Sequence, residues 1–192
     1  MIETKAGVYP LIENRHSPRA FDPDRPVSSE VLFSLLEAAR WAPSANNIQP
    51  WRFIIGQNGD ITHQRIASTL SDGNRIWAEK APLLILALTE EEGERGKQGY
   101  AWHDLGLATS QMIMQASSMG LYAHIMAGFS KDEARSIFSI PTEYAPLTVI
   151  AFGYLGEIEA LSEKLQAREK APRIRKTMDE IGFQNSWGEP LA

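Results

Sequence analysis

The chain has 192 residues, 43% of them hydrophobic and 22% charged, and its formal net charge is −5 at pH 7. It contains no cysteine, which excludes disulfides, thiolate nucleophiles and cysteine metal sites. The acidic balance argues against a nucleic-acid partner, and no apolar run approaches the ~18 residues of a membrane span. The N-terminal segment lacks the apolar core of a signal peptide, so we expect a cytoplasmic protein.

Helical and strand patterns alternate in the first half of the chain. Apolar residues recur at helical spacing after Ser28, a candidate N-cap, and Pro43 stops that helix. The other patterned segments are a strand at 51–55, a weaker helix at 62–71, a buried strand at 83–89 and a charged, solvated loop at 90–99.

The second half continues with few strands between longer helices. Apolar spacing predicts a long helix over 105–119, and Gly120 follows it where helix C-termini favour glycine. Ser130 and Glu133 form a capping-box pattern, which predicts a further helix. Strands are predicted at 121–126 and 147–154 and a helix at 161–169. This pattern indicates an α+β or α/β sandwich with a small, well-covered central sheet.

We interpret residues 1–192 as a single domain with an extended C-terminal tail at 182–192. The tail carries Phe183 and Trp187 but shows no hydrophobic periodicity. It cannot form a core of its own, so we expect it to cover either this chain or a partner.

Two cationic segments lie near opposite ends of the chain: RHSPR at 15–19 and RIRK at 173–176. Arginine forks suit phosphate oxygens, and a serine hydroxyl adds a further donor. The two segments would clamp one phosphate if the fold brings them together. Otherwise they are unrelated solvated basic surfaces.

A polar loop without charge follows the first predicted helix. Its uncharged polar side chains are Ser44, Asn46, Asn47 and Gln49. Trp41 and Trp51 flank it, and amides beside indoles suit a neutral planar ring with hydrogen-bonding edges. The other interpretation is that the amides cap local backbone and the tryptophans belong to the core.

Common catalytic signatures do not occur in the sequence. There is no GxGxxG after a strand, no GxxxxGK[ST], no HExxH and no GxSxG. The four histidines lack metal-ligand spacing, so we expect no metal site.

These segments together resemble the FMN-dependent nitroreductase family. RHSPRAF at 15–21 is similar to the family pattern Arg-[Arg/His]-Ser-x-[Arg/Lys]-x-Phe, and APSANNIQPW at 42–51 to Ala-Pro-Ser-x-x-Asn-x-Gln-Pro-Trp. Weaker matches follow in family order at Asn74, 81–82, 126–129, Arg173 and Arg175. The resemblance implies an α+β fold, namely a three-layer α-β-α sandwich with a small mixed or antiparallel sheet, in a domain-entwined homodimer.

The resemblance also implies that FMN lies at the subunit interface. The residues of one subunit that it places around the cofactor are Arg15, His16, Ser17, Arg19, Asn74, Ala127, Gly128, Arg173 and Arg175. Arg15, Ser17 and the Arg173/Arg175 pair would hold the phosphate and ribityl end. Arg19 and Asn74 would reach the pyrimidine edge, and the backbone at 127–128 would approach flavin N5. The other subunit would contribute Pro43, Ser44 and Asn47.

Two departures from the family pattern concern the pocket. Ala127 stands where some nitroreductases have glutamate, so a backbone contact can remain but a carboxylate role is lost. The stretch between Thr89 and Trp102 is short where relatives insert helices, so we expect a more open pocket. Candidates to line that pocket are Trp41, Tyr100, Trp102 and His103. Alternatively, Trp102 simply begins the core helix.

The activity implied by the resemblance is a ping-pong reaction without a catalytic side chain. NAD(P)H would reduce the flavin at N5, and a small electron acceptor would then take its place. Acceptors would be nitroaromatics, quinones or related conjugated molecules. The alternatives are a specialised member, such as an enone or semialdehyde reductase or a dehalogenase, and a non-catalytic flavin-binding or sensing dimer.

Overall fold

The computed structural model describes residues 7–93 and 96–191. The strands are β1 (Trp51–Gln57), β2 (Leu83–Glu90), β3 (Glu92–Gly93), β4 (Gly96–Lys97), β5 (Tyr122–Met126) and β6 (Tyr144–Gly153). The α-helices are α1 (Pro10–Asn14), α2 (Ser29–Arg40), α3 (Ile61–Thr69), α4 (Asp72–Ala78), α5 (Ala101–Ser118), α6 (Lys131–Phe138) and α7 (Glu163–Lys170). The segment before Gly7, positions 94–95 of the predicted charged loop and Ala192 of the predicted tail lie outside the described residues.

The main sheet has the strand order β1-β2-β6-β5, and each neighbouring pair is antiparallel. Strand β2 is central and apolar on both faces, which explains the unbroken run LLILAL in its sequence. Alternate residues of β2 belong to two separate cores: Leu83, Ile85 and Ala87 to one, and Leu84, Leu86 and Leu88 to the other. Helices α2 and α5 cover the first face and α3, α4 and α6 the second, which gives the predicted three layers.

Two predicted helix ends, the start of α2 and the end of α5, are confirmed by their capping hydrogen bonds. The Ser28 hydroxyl accepts from the Val31 N–H at 3.2 Å and so caps α2. After α5, Gly120 adopts φ +74°, and the next N–H, from Leu121, reaches back to the Ala116 carbonyl at 2.9 Å. This is a glycine-terminated helix end of the Schellman type.

The predicted capping box before α6 is realised on one side only. The Ser130 hydroxyl accepts from the Glu133 N–H at 3.2 Å. The Ser130 N–H donates to the Thr69 carbonyl at 2.7 Å instead of to the Glu133 side chain. The cap therefore also ties α6 to the end of α3.

Some elements are absent from the sequence predictions. Helix α4 contains Gly73 and is short, but Trp77 and Ala78 bury its last turn in the core. Tertiary packing therefore overrides a weak local helical preference. Within the predicted charged loop, β3 pairs with β4 in an antiparallel arrangement. No helix among the described residues is long and apolar enough to cross a membrane.

The C-terminal tail makes local contacts of its own. The Phe183 and Trp187 rings lie 4.9 Å apart, and Phe183 forms a β-bridge with Pro190. The Trp187 side chain nevertheless remains 91% exposed. That this tail covers this chain or a partner subunit remains a prediction.

Candidate functional site

The two cationic segments predicted from the sequence meet in one cavity of about 630 Å³. Residues of 15–19 form one wall and residues of 168–175 the other. The cavity therefore holds the side chains of Arg15, His16, Ser17, Arg19, Arg173 and Arg175 together. The alternative of two unrelated basic surfaces is wrong.

Arg173 joins the two walls of the cavity by binding the backbone of the opposite segment. Its Nη1 donates to the carbonyl of Glu13 at 2.8 Å and to that of Arg15 at 3.0 Å. The chain reaches this position after α7 ends and Pro172 prevents the helix from continuing. The chain entering the 15–19 segment and the chain leaving α7 are thereby joined.

Like charges accumulate beside Arg15. Burial, together with the positive charges of Arg175 and Arg173, lowers the pKa of Arg15 from its usual value. Within residues 7–93 and 96–191, none of these three arginines forms an ion pair with a carboxylate. The Ser17 hydroxyl lies 3.4 Å from the Arg15 Nη1. This end of the cavity is suited to an anion with several oxygens.

Arg19 lies in the same cavity in a different electrostatic setting. Its Nη1 donates to Glu169 Oε1 at 3.0 Å, and the two side chains form an ion pair. The sequence analysis missed Glu169 and its neighbour Arg168, because alternating charges on a short helix look like an ordinary solvated face. Only the orientation of α7 shows that both line the cavity.

The 15–19 segment is held along the edge strand β5. The His16 ring lies 4.9 Å from the Tyr122 ring, and the His124 Nδ1–H donates to the Pro18 carbonyl at 2.9 Å. The other face of His124 contacts Trp77 of α4, with ring centroids 4.5 Å apart. Strand β5 thus connects the cationic cavity to α4, the helix that carries the predicted Asn74.

Asn74 and Gly128, both predicted site residues, are in direct contact. The Asn74 Nδ2 donates to the Gly128 carbonyl at 3.0 Å. A Cβ added to Gly128 would lie 2.7 Å from that nitrogen, so a larger residue at this position would force the Asn74 amide to shift. In the described ranges the Gly128 N–H donates to no protein atom, and Ala127 and Gly128 are both exposed. A backbone donor is therefore available at the end of β5.

The predicted polar loop is anchored but does not line the cationic cavity of its own chain. The buried carboxylate of Asp104 accepts from the Ala45 N–H at 3.0 Å, and the Ser44 hydroxyl accepts from the Gln49 N–H at 3.0 Å. The positive φ angles in the loop are 51° at Asn46, 56° at Asn47 and 55° at Gln49. The Gln49 side-chain amide donates to the Asn47 carbonyl at 3.2 Å, so part of the amide set caps local backbone, while Pro43 and Asn47 are exposed. Sequence reasoning did not identify the anchor Asp104.

The two tryptophans flanking that loop differ in burial and do not form one surface, so the core interpretation holds for one of them. Trp51 is buried in the core. Trp41 is 73% exposed, and its Nε1–H donates to Glu37 Oε1 at 2.8 Å. It lines a separate groove along α2 with Phe33. Burial depends on the position of the strand and the helix end, which the local sequence does not show.

Of the other candidate pocket residues, Trp102 is the one that shares a cavity with Arg15. That cavity has a volume of about 350 Å³ and is mostly lined by α5. The Trp102 indole N–H donates to Glu91, and the Lys131 Nζ lies 5.7 Å from the ring centroid. Tyr100 and His103 are exposed at the start of α5 but do not line this cavity.

Comparison with known proteins gives consistent matches. A sequence model of the nitroreductase family matches residues 12–74 and 57–154. An uncharacterised 15.4 kDa protein of Mycolicibacterium smegmatis is 35% identical over 148 residues, covering 73% of this chain and 99% of that protein. A protein of Methanothermobacter thermautotrophicus, provisionally named NADH dehydrogenase/NAD(P)H nitroreductase, is 29% identical over 158 residues, or 80% of each chain. A crystal structure described as an oxidoreductase containing FMN aligns with a TM-score of 0.91 and 32% identity, covering 96% of this chain and 95% of that chain.

The pKa of His124 predicts a pH dependence of stability. Burial lowers this pKa, the Pro18 carbonyl opposes the shift, and nearby Arg19 adds to it. The unfolded chain then binds a proton near pH ~6.5 while the folded chain does not, so the free energy of unfolding decreases as the pH falls below ~6.5. In a His124→Gln variant this contribution is absent, and the stability difference between wild type and variant should shrink on acidification.

Urea unfolding at about pH 7 and about pH 5.5, on either side of the ordinary histidine pKa, measures this difference. His103→Gln is the matched control, because His103 is exposed, and it should retain the wild-type pH dependence. Equal pH dependence in wild type and His124→Gln would contradict the prediction.

Proposed function

The chain belongs to the nitroreductase family, and on that basis we propose that it is an FMN-dependent oxidoreductase that transfers electrons from NAD(P)H to small conjugated acceptors. The observation that carries the proposal is the cavity joining residues 15–19 to residues 168–175. The FMN described for a structure of the same fold and the NAD(P)H in the names of relatives support it.

The cationic end of the cavity fits the phosphate of FMN. Arg15, Arg173 and Arg175 supply positive charge that no carboxylate neutralises among the described residues. Ser17 adds a hydroxyl beside Arg15. We assign the phosphate and ribityl chain to these four residues, because forked guanidinium donors match phosphate oxygens. His16 positions the segment through its contact with Tyr122.

The other residues fit the ring system. Arg19 provides a guanidinium and Asn74 an amide for the pyrimidine edge, and the Gly128 N–H offers a donor for N5. Ala127 has no side chain able to exchange a proton, so only its backbone contributes. The fit is therefore one of hydrogen bonding and charge.

Bound FMN would supply the redox chemistry, since it accepts a hydride from a nicotinamide and passes electrons to an acceptor. The protein's residues bind and orient the cofactor and leave one face accessible. Trp102, which shares a cavity with Arg15, offers an aromatic surface for a planar acceptor. Nitroaromatics and quinones are planar and conjugated, so we propose them as the acceptor class.

We further propose that the complete site is formed by two subunits in a homodimer. Pro43, Ser44 and Asn47 do not line the Arg15 cavity of their own chain, although the family pattern includes them. Asp104 holds their loop in a fixed position, and Asn47 is exposed on it. The loop is thus free to complete the site of a second copy.

The purified protein should be yellow or become yellow on addition of FMN. Anaerobic stopped-flow mixing with NADH or NADPH should bleach the flavin absorbance, and a quinone should restore it in a second mixing step. Bound FMN that neither cofactor bleaches would indicate a non-catalytic flavin-binding protein. A protein that binds no FMN would contradict the proposal altogether.

Replacement of Arg15 should weaken FMN binding, because charge-assisted hydrogen bonds each contribute ~1.5–3 kcal/mol. We expect Arg15→Ala to raise the dissociation constant roughly 10- to 150-fold, measured by fluorescence titration. Arg65→Ala is the control, since it removes the same charge from the exposed surface of α3. Unchanged affinity in Arg15→Ala would reject its assignment to the phosphate.

The shared site predicts complementation between two defective variants. Asn47→Ala should also weaken FMN binding, and analytical ultracentrifugation should show a dimer for the loaded protein. In a hybrid of one Arg15→Ala and one Asn47→Ala subunit, one site receives both native residues and should regain normal affinity. No recovery in the hybrid, or a stable FMN-loaded monomer, would reject the shared site.

A further inference from the structure

A single carboxylate lines the cationic cavity among the residues that the structure describes. Glu169 lines this cavity together with six of the predicted cofactor-binding residues, and its side chain is only 8% exposed. A carboxylate in a site for an anionic ligand opposes binding unless a nearby cation neutralises its charge. Its partner is Arg19, whose Nη1 lies 3.0 Å from Glu169 Oε1.

The packing of α7 explains why Glu169 points inward. Leu165, four residues earlier, is buried in the core, and residues four apart lie on the same face of a helix. Glu169 is therefore carried towards the interior by the same face that anchors α7. Burial of a carboxylate is costly without a partner, and the ion pair with Arg19 offsets that cost.

Glu169 holds one edge of the Arg19 guanidinium, and the other N–H donors of that guanidinium remain available. A guanidinium has several N–H donors, and in residues 7–93 and 96–191 Glu169 is the only protein acceptor that Arg19 contacts. Its side chain is 24% exposed and lines the cavity. The remaining donors can therefore contact a ligand while the ion pair fixes the orientation of the fork.

The cavity consequently has two electrostatically different ends. The arginines at positions 15, 173 and 175 have no carboxylate partner in the described residues, and their mutual repulsion contributes to the lowered pKa of Arg15. The charge of Arg19 is balanced by Glu169. Net positive charge is thus concentrated where the phosphate is proposed to bind.

We propose that Glu169 is a positioning residue that restrains Arg19 beside the pyrimidine edge of FMN and balances its charge. This role rests on the proposed function. An unbalanced cation at that edge would stabilise the negative charge that the ring gains on reduction. Glu169 limits this stabilisation, so the reduced cofactor still passes its electrons to acceptors.

The midpoint potential of bound FMN tests the role, measured by spectroelectrochemical titration of the loaded protein. Glu169→Gln should raise the potential, with reduced FMN gaining about tenfold in affinity relative to oxidised FMN, which equals ~30 mV for two electrons. Glu163→Gln is the matched control, since it removes an exposed carboxylate from the same helix. Its potential should equal that of the unaltered protein.

A double-mutant cycle with Arg19→Gln separates positioning from a direct charge effect. If Glu169 acts through Arg19, the shift caused by Glu169→Gln should be much smaller in the Arg19→Gln background. Equal shifts in both backgrounds, or an unmoved potential in Glu169→Gln, would overturn the positioning role while leaving the proposed function intact. Failure of the unaltered protein to bind FMN would overturn both.

Discussion

The site depends on the guanidinium of Arg173, which binds two backbone carbonyls of the opposite wall. These bonds to Glu13 and Arg15 join parts of the chain up to 160 positions apart. Without them, the segment after α1 and the segment after α7 would be two solvated basic ends. With them, burial and the positive charges of Arg175 and Arg173 together lower the pKa of Arg15. The repulsion among them is a cost that an anionic ligand would remove, so this end is suited to an anion with several oxygens.

Strand β5 places the rest of the site relative to that cavity. It holds the 15–19 segment through Tyr122 and His124, and it ends beside Gly128. Trp77 packs on His124 and fixes α4, so Asn74 reaches the Gly128 carbonyl. The edge position of β5 in the sheet makes this possible, because its outer side is open to the N-terminal segment. The charged side chains and the neutral amide and backbone groups are thereby kept at different places.

The cationic character of the cavity and the family were predictable from the types of residue and the order of the motifs. Arginines near Ser17 indicated an anion, and the order of the motifs indicated the family. Helix ends at Ser28 and Gly120 were predictable because capping is local chemistry. Helix α4 was not, since Gly73 weakens its local preference and core packing of its last turn compensates.

The chemistry offered to a ligand was readable because guanidinium, amide and hydroxyl groups have the same donors in any fold. Which of the charges neutralise one another was not predictable, because neutralisation depends on which charged groups come within a few ångströms of each other. In the sequence Glu169 resembles a surface residue, whereas in the structure α7 places it in an ion pair with Arg19. Likewise Trp41 and Trp51 are equivalent in the sequence, but only Trp51 is buried. Burial and charge pairing arise between distant segments, and no local pattern encodes such contacts.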